Sequence, residues 1–106
     1  MLTDSKLHLV EPGARPAYYL VAEHLWGSEA NIDSDGDSAS PEDTQWTELS
    51  LRLRDSGQYS GVHVDLVSNN PLVLEIRSSD DRLVRRVAEY LRDRSGGTIR
   101  ENIAQD

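Results

Sequence analysis

Three observations predict an α+β fold, an antiparallel β-meander with its main C-terminal helix packed on one face. Residues 80–94 repeat apolar side chains at helical spacing. Residues 46–55, 62–66 and 72–77 alternate apolar and polar side chains at the period of two expected for half-buried strands. Turn-forming residues, Asn69-Asn70-Pro71 and Arg77-Ser78-Ser79, punctuate the runs.

The helix is the best-specified element. Leu83, Val84, Val87, Ala88 and Leu91 form one stripe, with Arg82, Arg85, Arg86, Glu89 and Arg92 on the opposite side. Ser78 or Ser79 is placed to cap its first turn, where Asp80 and Asp81 suit the helix dipole. Arg92 and Arg94 sit near the carbonyl end, followed by Gly96 and Gly97, either of which can adopt positive φ. Asp81, Arg85 and Glu89 are spaced for pairing along the exposed face.

In the meander, Leu49, Leu51 and Leu53 share a face, with Glu48, Ser50, Arg52 and Arg54 on the other. Residues 56–61 read as a turn. Val62, Val64 and Leu66 then face one way, His63 and Asp65 the other. In the third strand Leu72, Leu74 and Ile76 oppose Val73, Glu75 and Arg77. A leucine-rich face needs a cover, and the helical stripe supplies one.

The remaining segments are less regular. Residues 6–10 predict a short strand closed by the turn Glu11-Pro12-Gly13, and Thr98-Ile99 a short strand near the other end. Residues 16–26 fit a helix through Pro16 in the first turn and Gly27 past the end. They also fit a strand through Tyr18, Tyr19, Val21 and Trp26, and this aromatic and β-branched content tips the expectation to strand. Residues 27–44 hold many Asp, Glu and Ser side chains, no basic residue, and only Ile32 and two alanines as apolar content. A long, exposed, mobile acidic loop is expected there.

At 106 residues the chain is expected to be one domain, 1–106. It has no cysteine, so disulfides, thiol nucleophiles and thiolate metal sites are excluded. No signal-type or transit-type segment leads the sequence and no stretch approaches a bilayer span, so a cytoplasmic location is expected. The net charge of −8 is unevenly distributed: residues 1–53 carry 3 basic and 10 acidic side chains, residues 54–106 carry 8 and 9. Phosphate backbones and anionic lipid surfaces repel such a chain, which argues against nucleic-acid and membrane partners and favours a basic one.

Motifs for chemistry are missing. An EF-hand loop starting at Asp33 would need glycine at Ser38 and glutamate at Thr44. His8, His24 and His63 lack metal-ligand spacing, although His63 and Asp65 project from one strand face. There is no G-x-S-x-G elbow and no phosphate-cradling glycine loop. Asp65 and Glu75 are candidate neighbours on adjacent strands, with Arg52 and Arg77 on the same face to pair with them. No catalytic residue, metal or cofactor is therefore expected. Trp26 and Trp46 bracket the acidic loop, where large rigid side chains cap a core or anchor a partner.

The tryptophan-led strand Trp46-Thr47-Glu48-Leu49, the apolar strand Pro71-Leu72-Val73-Leu74 and the ending from Val87-Ala88-Glu89-Tyr90-Leu91 to Ser95-Gly96-Gly97 resemble small bacterial immunity proteins that neutralise cognate toxins. The resemblance covers the second half of the chain. It implies a non-enzymatic inhibitor of a basic, cytosol-acting toxin domain of nuclease or deaminase type, steered to it electrostatically. Under that reading the partner-binding residues are Glu29, Asp33, Asp35, Asp37, Glu42 and Asp43, with Trp26 or Trp46 as anchor. The alternative is a small regulatory or ligand-binding domain, a homodimer through an exposed sheet edge.

Overall fold

A computed structural model describes residues 5–54 and 61–101. In chain order these form β1 (Ser5–Val10), α1 (Tyr18–Trp26), β2 (Ile32–Gly36), β3 (Leu49–Leu53), β4 (Gly61–Asn69), β5 (Leu72–Ser78), α2 (Asp81–Ser95) and β6 (Thr98–Arg100). The turn expected at 56–61 lies outside the described residues except for Gly61, which opens β4. The strands make one antiparallel sheet of order β2-β3-β4-β5-β1-β6. The fold is α+β, as the periodicities predict.

Both helices cover one face of the sheet. The inward residues Leu7, Leu9, Leu49, Leu51, Val62, Val64, Leu74 and Ile76 share one core with Val21 and Leu25 of α1 and with the α2 stripe Leu83, Val84, Val87, Ala88 and Leu91. α2 packs across β1, β5, β4 and β6, while α1 packs beside α2 and on β3. The opposite face is open and polar. A bulge between Leu66 and Ser68 leaves Val67 half exposed in β4.

Residues 16–26 are not the strand that their aromatic content predicts: Tyr18–Trp26 is helical. Strand propensity reflects a fit to a pleated, half-buried surface, and tertiary packing overrides it here. Val21, Ala22 and Leu25 lie at helical spacing and cover the inward leucines of β3, which α2 does not reach. Gly27 ends the helix at φ 92°, its N–H donating to the Glu23 carbonyl.

Residues 27–44 are likewise not one continuous loop, because Ile32–Gly36 pairs with β3 along its whole length. The ladder supplies the order that side-chain burial does not. At α2 the cap is Asp80, whose carboxylate accepts from the Arg82 N–H, in place of Ser78 or Ser79. Ser78 is still in β5 and 2% exposed; its hydroxyl donates to the Gly61 carbonyl and accepts from the Asp80 N–H. Among the described residues the ion pairs on the α2 surface are Arg82–Asp80 and Arg92–Asp93, between near neighbours in sequence, in place of the row expected through Asp81, Arg85 and Glu89. The expected glycine signal holds, with Gly96 at φ 79° and Gly97 at φ 94°. A Cβ on Gly97 would meet the Val10 carbonyl at 2.8 Å, so glycine also lets the chain turn back beside β1.

Candidate functional site

The acidic residues come together at the β2 edge of the sheet, and the register explains which side they take. Asp33 pairs with Arg52 and Asp35 with Ser50, so both aspartates project onto the open face while Ile32 and Ser34 lie on the helix side. Gly36 closes the strand where a Cβ would lie 2.2 Å from the Glu48 carbonyl. Only glycine permits that approach.

The predicted carboxylates divide into two groups. Asp33, Asp37 and Asp43 have structural work. Asp33 bonds both Arg52 and Arg54. The Arg54 bond, with that of Arg52, holds its carboxyl below the ordinary aspartate range despite partial desolvation. Asp37 accepts from the Thr47 N–H and hydroxyl and from the Glu48 N–H, at 2.7 to 2.9 Å, closing the base of the excursion between β2 and β3. Burial raises its pKa, but these bonds together outweigh burial and leave it lowered. Asp43 accepts from the Ala39 and Gln45 N–H groups, which lower its pKa.

Glu29, Glu42 and Glu48 are exposed and have no ion-pair partner among the described residues. Asp35 is exposed too, bonding only the adjacent Gly36 N–H. Glu48 was not among the sequence candidates; its position beside Asp65 becomes visible only through the β3–β4 register.

The two tryptophans differ. Trp46 is 1% exposed, and its Nε1–H donates to the Pro16 carbonyl at 2.8 Å. It is a core residue and is closed to a partner as an anchor. Trp26 is half-buried against the core at the end of α1. The aromatic exposed beside the acidic edge is Tyr19, 39% accessible, next to Leu20 at 37%. A strand assignment for 16–26 hides this pair, since only the helix turns both outward.

Further along the open face, Asp65 and Glu75 stand directly opposite each other. Arg77 Nε bonds Asp65 at 3.0 Å and lies 3.9 Å from Glu75, which also contacts His8 Nε2 at 3.2 Å. The expected cross-strand ladder forms with Arg77, whereas Arg52 turns to Asp33. His63 Nδ1 lies 2.8 Å from the Ser50 hydroxyl. Ser50 sits mid-strand with its backbone paired to Asp35, in contrast to the strand-to-helix elbow that exposes a serine nucleophile. Among the described residues no group of three or more His, Asp and Glu side chains converges to hold a metal ion. No described helix is long and apolar enough to cross a membrane.

No protein-family model, curated protein or solved structure matches this chain.

Proposed function

We propose that the chain is a non-enzymatic immunity or inhibitor protein whose acidic sheet edge binds and neutralises a basic toxin domain in the cytoplasm. The observation that carries this reading is the separation of charge across the fold. Residues 27–48 contain no Lys or Arg, and at the β2 edge they present Glu29, Asp35, Glu42 and Glu48 to solvent. Five exposed arginines, Arg82, Arg85, Arg86, Arg92 and Arg94, lie on α2, which packs mainly toward β1 and β5; Arg52 and Arg54, exposed beside the edge, are taken up by Asp33. Such a field steers a cationic protein toward the edge that carries Glu29, Asp35, Glu42 and Glu48 in preference to the helix side, where arginines and carboxylates are mixed.

Homodimerisation through β2 is disfavoured on the same grounds, because an identical strand would bring aspartates close to aspartates.

The test is co-expression with a basic toxin domain encoded beside this chain's gene. Restored growth, a one-to-one complex and an association rate that falls steeply with salt are expected. Glu29→Lys, Asp35→Lys and Glu42→Lys together should slow association without unfolding the protein, since these side chains hold no tertiary bond. Unchanged association in that triple variant would exclude the edge.

A further inference from the structure

We infer that the free side of β2 takes up an extended basic segment of its protein partner as an additional strand, with cationic side chains opposite Asp35 and Asp37 and apolar ones opposite Ile32, Ser34 and Gly36. This rests on the reading of the acidic edge as the partner surface, and adds to it a binding mode and a sequence requirement.

The backbone geometry comes first. β2 is terminal in the sheet, with β3 on one side only. The Arg54 N–H donates to the Asn31 carbonyl at 2.9 Å and the Asp37 N–H to the Glu48 carbonyl at 3.1 Å, which marks the hydrogen-bonded pairs at each end of the ladder. Antiparallel pairing alternates, so residues 31, 33, 35 and 37 bond toward β3, and Ile32, Ser34 and Gly36 direct their N–H and C=O groups away from it. The Gly36 N–H is taken by the Asp35 carboxylate at 2.9 Å. The N–H groups of Ile32 and Ser34 and the carbonyls of all three have no partner among the described residues, a template for a further strand. No proline and no lysine blunts this edge.

Side chains specify the occupant. On an added antiparallel strand, positions opposite Asp33, Asp35 and Asp37 are the non-hydrogen-bonded pairs, where side chains come closest. Asp33 already holds Arg52 and Arg54 and calls for a neutral polar neighbour. Asp35 has no counter-ion among the described residues, and Asp37 and Glu48 extend the negative row beside it. On the helix side, two hollows flank the strand. One of about 200 Å³ is lined by Tyr18, Ser34, Asp35, Gly36, Ser38 and Leu49. The other, of about 190 Å³, has Tyr19, Ala22, Ala30 and Ile32 on its apolar side and Glu23 and Ser28 at its polar side. Both fall below the roughly 300 Å³ at which small-molecule pockets begin and are of a size for single side chains, with Tyr18 and Leu49 as the apolar wall of the first and Tyr19, Ala22 and Ile32 as that of the second. Running antiparallel from Asp37 to Ile32, the segment that fits reads cation, apolar, cation, apolar, polar, apolar.

The test uses the intact protein and the capped peptide Lys-Val-Lys-Val-Thr-Val, followed by NMR at low ionic strength. Binding should slow exchange of the Ile32 and Ser34 amides by about tenfold or more, while the Asp33 and Asp35 amides, already bonded to β3, change little. N-methylation of the first two valines should weaken binding by about tenfold or more, because their N–H groups face β2; N-methylation of the two lysines should have little effect. Ser34→Pro, which removes an outward donor and leaves the β3 ladder intact, should weaken binding similarly. Equal binding of both N-methyl isomers with unchanged Ile32 and Ser34 exchange would overturn strand addition and leave the acidic surface standing. Absence of binding by every peptide would also overturn it, the functional reading being decided separately by the growth rescue.

Discussion

The guanidinium Nε of Arg15 donates to the backbone carbonyl of Trp46 at 2.9 Å. The same guanidinium donates through Nη1 to the Gly13 carbonyl, the Arg15 N–H donates to the Thr44 carbonyl, and the Trp46 indole reaches back to Pro16. The segment entering α1 is thereby stitched to the end of the acidic excursion. Burial lowers the Arg15 pKa, and the carboxylates of Asp43 and Asp37 oppose that effect. Two of the acidic residues therefore also help to hold a buried cation.

Arg15→Met should destabilise the fold by about 1–3 kcal/mol, because the buried Trp46 carbonyl loses its donor. Arg15→Lys should not restore stability, since an ammonium cannot reproduce the two-point fork. Urea denaturation of the three proteins measures both effects.

Trp46→Ala should cost about 3–5 kcal/mol, as expected for a large side chain removed from a core. Trp46→Phe retains much of the apolar contact and loses the bond to Pro16, so it should cost less. Because Trp46 is buried, the folded Phe variant should bind the partner as the parent does; titration calorimetry at a temperature where both are folded checks this.

Acid should loosen the β2–β3 excursion. The folded pKa of Asp37 lies below its unfolded value, as do those of Asp33 and Asp43. Their contribution is complete above the ordinary aspartate pKa of about 3.9 and is lost as pH falls through the lower folded values. Asp37→Asn should flatten the fall in melting temperature below about pH 4. Thermal melts of parent and variant from pH 6 downward give the comparison.

His24 offers a probe of the helix pair. Its ring stacks on Tyr90 at 4.3 Å, Arg94 lies over the Tyr90 ring, and Arg86 donates to the His24 carbonyl. Burial, followed by the charges of Arg86 and Arg94, lowers its pKa, with Asp93 opposing. The fold favours neutral imidazole, so protonation should begin to cost stability as pH falls below the ordinary histidine value of about 6.5. An NMR titration should place the His24 midpoint below that of the unfolded chain, and Arg86→Gln should raise it.

The outcome differs by element for a physical reason. The α2 stripe and the alternation in β3, β4 and β5 are written in residues three, four or two apart, and a local period survives whatever packs against it. The glycines after α2 are legible in the same way, because positive φ is a property of one residue. Acidic composition likewise locates the candidate edge without any structure.

Tertiary structure decided the rest. Tyr18–Trp26 is helical because the inward leucines of β3 needed a cover beyond the reach of α2. Ile32–Gly36 is a strand because β3 offered an edge, and its own side chains carry no sign of it. Placement of β1 between β5 and β6 joins strands far apart in the chain. The same long-range packing buries Trp46 and Arg15 and divides the acids into bonded Asp33, Asp37 and Asp43 and exposed Glu29, Asp35 and Glu42. Sequence by itself determined which residues can form each periodic element and where the negative charge lies. Which acids are available to a partner depends on hydrogen bonds that exist only once distant segments meet.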